Sequence, residues 1–240
     1  MRTSIYIDGF NLYYLAVRGT RYKWLDLKAV CQKLLPPACK IGTIKYFTAH
    51  VSGKFDPDQP IRQSTYIRAL ESHIPEIEVY YGHFTTHPKG APLVIPELAQ
   101  THAEVLVPQP DGSTQAMSLP LVTPKPQRKF ARIFKTEEKG SDVNIAVHLL
   151  NDAWEDKFDC GVTLSNDSDL AEALKLVKAH SKKKTLGLIH PGLKGNPSRE
   201  LQKHADYVRQ IRKGVLSSSQ LPDPVPGKKS GEFYSKPARW

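Results

Sequence analysis

What most limits the fold of this 240-residue chain is the order in which two hydrophobic periods take turns along it. Ser4–Asp8 alternates like a strand and ends in an acid, and Gly9 then opens an amphipathic helical stretch over Leu12–Val17. Asp26 is placed to cap a helix that Pro36-Pro37 stop after Leu35. Ile41–Val51 predicts a strand, Pro57–Ser72 a helix and Ile77–Phe84 another strand. The pattern resumes with a strand over Phe130–Phe134 and a helix over Asp142–Trp154. The apolar stripe of that helix is read as Val143, Ala146, Val147, Leu150 and Trp154. Phe158–Leu164 and Thr185–Ile189 predict strands around a helix at Asp169–Ala179. A short helix over Pro197–His204 and a last strand over Tyr207–Ile211 follow. Repeated β/α units imply a twisted, mainly parallel sheet with helices on both faces, so ligands bind beyond the carboxyl ends of the strands.

Residues 85–128 break the alternation. Eight prolines fall there, and Asp111-Gly112 is a hairpin-type turn between two β-rich runs. An inserted loop is expected, with a two-stranded arm of Val105–Val107 against Ala116–Val122. After residue 212 the composition turns to Ser, Pro and Lys, which predicts a basic, flexible tail over 213–240.

Charge sharpens the division. Residues 1–179 carry a net +1 and residues 180–240 a net +9, out of +10 in all. That asymmetry fits an anionic partner such as nucleic acid, and equally a solubilising tail. Hydrophobic residues at 40% are enough for a packed core, which argues against wholesale disorder. The absence of an 18-residue apolar run excludes a membrane-spanning helix, and the N-terminal residues show no secretory pattern, so a cytoplasmic protein is expected. Three cysteines without a CxxC pair argue against a disulfide framework or a zinc knuckle.

Four acids fall where this topology gathers ligands. Asp8 ends the first strand, Asp167 and Asp169 follow the strand that ends at Leu164, and Asp142 starts a helix that follows a strand. Each alone could be a turn or a helix cap. Together they form a cluster of like charges that a hard divalent cation, Mg²⁺ or Mn²⁺, would relieve. Such a site suits phosphodiester hydrolysis by a metal-activated water. Asn11 and Ser165 lie beside the acids, where either can hold an acid in place or contact the substrate. Lys139, Lys194 and Arg199 sit on the same edge as candidates for the phosphate backbone. Lys182-Lys183-Lys184 precedes a strand, on the opposite edge, and is read as a solvated turn. His83 and His87 have helical ligand spacing, but Pro88 and the strand reading argue against a zinc pair. Phe10 stands where an Asp-nucleophile phosphatase would need a second Asp, and no GxGxxG accompanies Gly9.

Ile7-Asp8-Gly9-Phe10-Asn11, Glu137-Glu138-Lys139-Gly140-Ser141-Asp142-Val143 and Ser165-Asn166-Asp167-Ser168-Asp169, in that order, resemble the NYN domain, a bacterial branch of the PIN-like nuclease superfamily. The resemblance covers about residues 1–212. It implies an α/β fold of the PIN-like three-layer α/β/α kind, with a central, mainly parallel sheet to which the inserted β-arm and basic tail are additions. It implies a metal-dependent ribonuclease, with Asp8, Asp142, Asp167 and Asp169 as both catalytic residues and ligands of Mg²⁺ or Mn²⁺. Asn11 and Ser165 match positions beside those acids. RNA is the implied partner and self-association is common among such proteins, though no stretch here marks an interface. A catalytically silent RNA-binding or partner-docking module is the alternative.

Overall fold

The computed structural model describes residues 1–54, 56–92, 102–108, 114–120, 130–181, 183–238 and 240. Its centre is a seven-stranded sheet in the order β6-β3-β2-β1-β7-β8-β9. The strands are β1 (Arg2–Asp8), β2 (Lys40–Ala49), β3 (Ile77–Pro92), β6 (Phe130–Lys139), β7 (Cys160–Leu164), β8 (Thr185–His190) and β9 (Tyr207–Gln210). From β3 through β1 to β9 every pairing is parallel. The strand order doubles back at β1, where chain order runs outward on both sides, and the crevice of such a sheet opens there.

Alternation along β1 sends side chains to two cores. Ile5 and Ile7 pack with α1 (Gly9–Leu12), α2 (Leu27–Leu34) and α3 (Gln59–His73). Tyr6, with Phe47 of β2, packs with α4 (Ser141–Trp154), α5 (Ala171–His180) and α6 (Arg199–Gln202). The result is the three-layer α/β/α sandwich that the sequence predicts. Asp26 caps α2 as expected, accepting from the Ala29 amide at 3.0 Å. Among the described residues no helix is long and apolar enough to cross a membrane.

By its internal contacts the chain divides into two compact units, Met1–Thr85 with Glu137–Trp240, and Thr86–Thr136. Within the second, β4 (His102–Pro108) pairs antiparallel with β5 (Thr114–Pro120), in a register that sets Val105 opposite Met117. The Asp111-Gly112 turn and Leu121-Val122 lie outside the described residues.

Three expectations need correction. Helix α4 centres its buried stripe elsewhere: Ser141, Ile145, Leu149, Asp152 and Ala153 are buried and the expected Ala146 and Leu150 pack beside them, whereas Val143, Val147 and Trp154 are exposed. Two stripes compete on this helix, and the sheet takes the one centred on Ile145 and Leu149. Residues 213–240 are not a loose tail. They form α7 (Lys213–Ser217) and the pair β10 (Val225–Pro226) and β11 (Phe233–Tyr234), with Leu216, Leu221 and Val225 buried. Trp240 stands 5.6 Å from Trp24 and 5.3 Å from Tyr66, ring to ring. The Trp24 indole donates to the Pro222 carbonyl at 2.8 Å. The apolar anchors are spaced too irregularly among Pro, Ser and Lys to show a period, but each has a pocket. Lys184 is no solvated turn residue, being buried with its ammonium 2.7 Å from Asp156 and donating to the Phe158 carbonyl at 2.7 Å. Lys182 lies outside the described residues.

Candidate active site

Asp8 is the last residue of β1 and is almost fully buried. One carboxylate oxygen accepts from the Asn11 amide at 2.9 Å, capping α1, and the other accepts from the Ser165 hydroxyl at 2.9 Å. Ser165 follows β7, the parallel neighbour of β1, so strand pairing itself delivers the hydroxyl. Burial pushes the Asp8 carboxyl above its usual range, and the charge of Asp167 adds to this. The bonds from Asn11, Ser165 and Phe10 oppose the rise without cancelling it.

The segment after β7 is tied down residue by residue. The Asn166 amide donates to the Asn11 side-chain carbonyl at 3.0 Å, and the Asp167 amide to the Ser165 hydroxyl oxygen at 3.0 Å. Asp167 caps the short 3₁₀ turn Ser168–Leu170 by accepting from the Asp169 amide at 3.0 Å. The Asn166 side-chain oxygen takes a bond from the Ser198 amide at 2.7 Å, which fixes the start of α6.

Asp142 enters from the other side, in the first turn of α4. Gly140 makes the turn from β6, with φ at +100°, a region that a side chain disfavours. Glu138 accepts from the Ser141 amide at 3.1 Å and from its hydroxyl at 2.8 Å. Gly82 of β3 gives Glu138 its room, because a Cβ there would meet that carboxylate and come within 2.7 Å of the Lys139 carbonyl. The Asp142 carboxyl is pushed up to about 6, first by burial and then by the charges of Asp8, Asp167, Glu138 and Asp169.

The four predicted acids therefore share one electrostatic neighbourhood. No ion pair between described residues involves Asp8, Asp142, Asp167 or Asp169. Among the described residues no three His, Cys, Asp or Glu are grouped tightly enough to share an ion.

The other predicted residues take different places. Ser165 is fully buried and its hydroxyl donates to Asp8, the first of the two roles the sequence allows it. Asn11 binds the Asn166 backbone, which makes it a brace between the two acid-bearing segments. Lys194, in the loop after β8, and Arg199, at the start of α6, are exposed on the edge of the acids. Lys139 pairs with Glu137 at 3.2 Å. His83 and His87 both lie on β3. Sequence reasoning missed Glu138 and Asn166 as site residues. Both stand inside the motifs that carry the resemblance, and the signal for Glu138 was its spacing three residues ahead of a helix-opening Ser.

A family model described as the NYN domain matches residues 96–212, a span that holds Glu138, Asp142, Ser165, Asp167 and Asp169. Over 261 aligned residues the chain is 32% identical to 6-hydroxy-3-succinoylpyridine 3-monooxygenase HspA of Pseudomonas putida, covering 100% of this chain and 75% of that protein. A solved protein of unknown function from Vibrio parahaemolyticus is 15% identical with a TM-score of 0.48, covering 88% of this chain and 93% of its own. A UDP-GlcNAc 2-epimerase from Neisseria meningitidis is 13% identical with a TM-score of 0.35, covering 91% and 43%.

Proposed function

Because the chain belongs to the NYN domain family, which is PIN-like, we propose that it is a divalent-metal-dependent ribonuclease acting at the edge that carries Asp8, Asp142, Asp167 and Asp169. The observation that carries the reading is Asp142, a half-buried acid pushed up to about 6 by burial and by the charge of its neighbours. A fold holds such a cluster at a cost in stability that an added cation removes.

The donor set fits Mg²⁺ or Mn²⁺. It consists of carboxylate oxygens, the hard ligands that such ions take. Asp8, Asp142, Asp167 and Asp169 would hold the ion, with Glu138 beside Asp142. When bound, the ion supplies the Lewis acidity that polarises a phosphate and prepares a water for attack. The rest falls to the chain. Ser165 and the Asn11 amide hold the two carboxylate oxygens of Asp8 in place. Asn11 and Asn166 lock the Asp167 segment against β1. Lys194 and Arg199 offer cations to the phosphates on either side of the scissile one.

The name of the Pseudomonas relative raises a second chemistry, oxygen insertion into a hydroxypyridine. Iron oxygenase sites pair two histidines with one carboxylate, and the acids here are joined by amide and hydroxyl groups with no histidine in the set. Hydrolysis suits these donors better.

Labelled single-stranded RNA and DNA, incubated with Mn²⁺, Mg²⁺ or EDTA, test the reading with wild type beside Asp167→Asn. RNA cleavage that needs metal and is lost in the variant is the expected result. Intact RNA in every lane, with turnover of 6-hydroxy-3-succinoylpyridine under air and a reduced nicotinamide, would overturn it in favour of the oxygenase.

A further inference from the structure

The helical segment that starts at Asp8 carries a feature that hydrolysis does not use. After α1 the chain widens into a π-helical turn, Tyr13–Val17, a geometry that recurs at functional sites. Its inward residues Ala16 and Val17 are buried, yet Tyr14 keeps 57% of its surface in water. The Tyr14 ring is nevertheless held. Tyr13 meets it edge-on at 5.3 Å between centroids, and the Arg18 guanidinium stands 5.3 Å from its centre. An ordered aromatic face with a cation against it is a recognition surface in waiting.

Its position gives it a ligand. Asn11 lies one turn earlier on the same side of the segment and reaches the Asn166 amide at 3.0 Å. The Leu15 carbonyl accepts from the Leu193 amide at 3.5 Å, which sets the loop carrying Lys194 against this turn. The turn that carries Tyr14 thus follows the strand end at Asp8 and is bonded to the loop before Lys194. Tyr14 follows Asp8 by six residues along this segment.

We infer that Tyr14, backed by Arg18, is a stacking shelf for one unpaired nucleobase of the strand whose phosphate reaches the acids. The inference rests on the ribonuclease reading and adds to it a specificity for single strands. A base inside a duplex already has both faces covered and cannot lie on the ring, whereas an unpaired base of any identity can. Arg18 orients the ring and faces the phosphates that flank that base.

The test uses the full chain carrying Asp167→Asn, so that RNA is bound but not cut, with Mn²⁺ present and anisotropy of a labelled oligonucleotide as readout. Tyr14→Ala is expected to weaken single-stranded binding roughly 5- to 100-fold, the range for losing one base–aromatic stack. Tyr14→Phe and Tyr14→Trp keep it, because the face binds and not the hydroxyl. An abasic site moved along the strand should cost that same factor at one position, and nothing there in Tyr14→Ala. Equal abasic costs with and without Tyr14, or equal affinity for duplex and single strand, would overturn the shelf. If otherwise wild-type protein cleaves RNA and Tyr14→Ala changes neither KM nor Kd, the shelf falls and the nuclease stands. If wild type neither cuts nor binds RNA, both fall.

Discussion

Asp142 and Asp152 stand at opposite ends of α4 and face the same sheet, yet their surroundings differ in kind. At the far end Asp152 is buried with Lys45, whose ammonium lies 2.6 Å away, and accepts from the Tyr6 hydroxyl at 2.8 Å. Lys157 adds a further cation at 3.4 Å. Burial alone would push the Asp152 carboxyl up, but the Lys45 and Tyr6 bonds and the two lysine charges outweigh it and hold it below its usual range. At the near end Asp142 meets Asp8, Asp167, Glu138 and Asp169, and rises to about 6. One end of the helix carries its own counter-ions, and at the other no ion pair between described residues reaches Asp142. The contrast is between an acid held by lysine and tyrosine partners and an acid whose neighbours are themselves acids.

The largest effect should come from breaking the self-sufficient end. Lys45→Met strands the Asp152 carboxylate in the core and should cost about 3–5 kcal/mol in urea unfolding. The double change Lys45→Met with Asp152→Leu removes both charges and should recover much of that loss. A double variant no more stable than the single would deny that the pair is balanced.

The open end should respond to metal instead. Millimolar Mn²⁺ is expected to stabilise the wild type by about 3 kcal/mol at a hundred times its Kd, read as a rise in Tm over EDTA. Asp142→Asn should abolish most of that rise while leaving the metal-free protein at least as stable as wild type, because a repelled charge has gone. A metal-free Asp142→Asn protein that melts well below wild type would mean that the carboxylate is structural, like Asp152.

The C-terminal residues offer a smaller test of a related contrast. Trp240→Ala should cost about 1–2 kcal/mol of stability, since its ring is only partly buried against Trp24 and Tyr66. Its effect on the salt dependence of RNA binding should be nil. A flattened salt slope in this variant would return residues 213–240 to the role of a phosphate-binding tail.

How much of this could be read from the sequence follows the range of the forces involved. Asp8 at a strand end, the Asp26 cap and the β/α alternation are local, and each stands in the structure where the pattern puts it. The face of α4 was not legible, because Val143, Val147 and Trp154 make as good a stripe as Ile145, Leu149 and Ala153, and only the sheet decides between them. Lys45 looks like an edge residue in its strand, and nothing nearby announces that Asp152 lies across the layer. Glu138 stands in the same motif as Asp142 with no strand end or helix start of its own to mark it, yet its two bonds to Ser141 shape the turn. The acids were legible as a set only because parallel pairing puts strand ends on one edge.

The finest discrimination between the two ends of α4 is their pH dependence in EDTA. For Asp142 the folded value, about 6, lies above the ordinary 3.8, so between those values the folded state holds a proton that the unfolded chain releases. Stability should therefore fall as pH rises from about 4 to about 6, and stay lower above that. Asp8, also raised, adds to the same slope. For Asp152 the folded value lies below the ordinary 3.8, so its contribution is present above that value and is lost as pH falls through the folded one. The metal-free protein should thus gain stability on leaving strong acid and lose some of it on approaching neutrality. The second change should be about 1 kcal/mol or less, because Asp142 is half in water and solvent screens it. Asp142→Asn should flatten the upper limb and leave the lower one. Mn²⁺ should flatten the same limb in the wild type, since the cation and the proton compete for one carboxylate. If Mn²⁺ and the substitution act on different limbs, the cation is not bound where Asp142 stands.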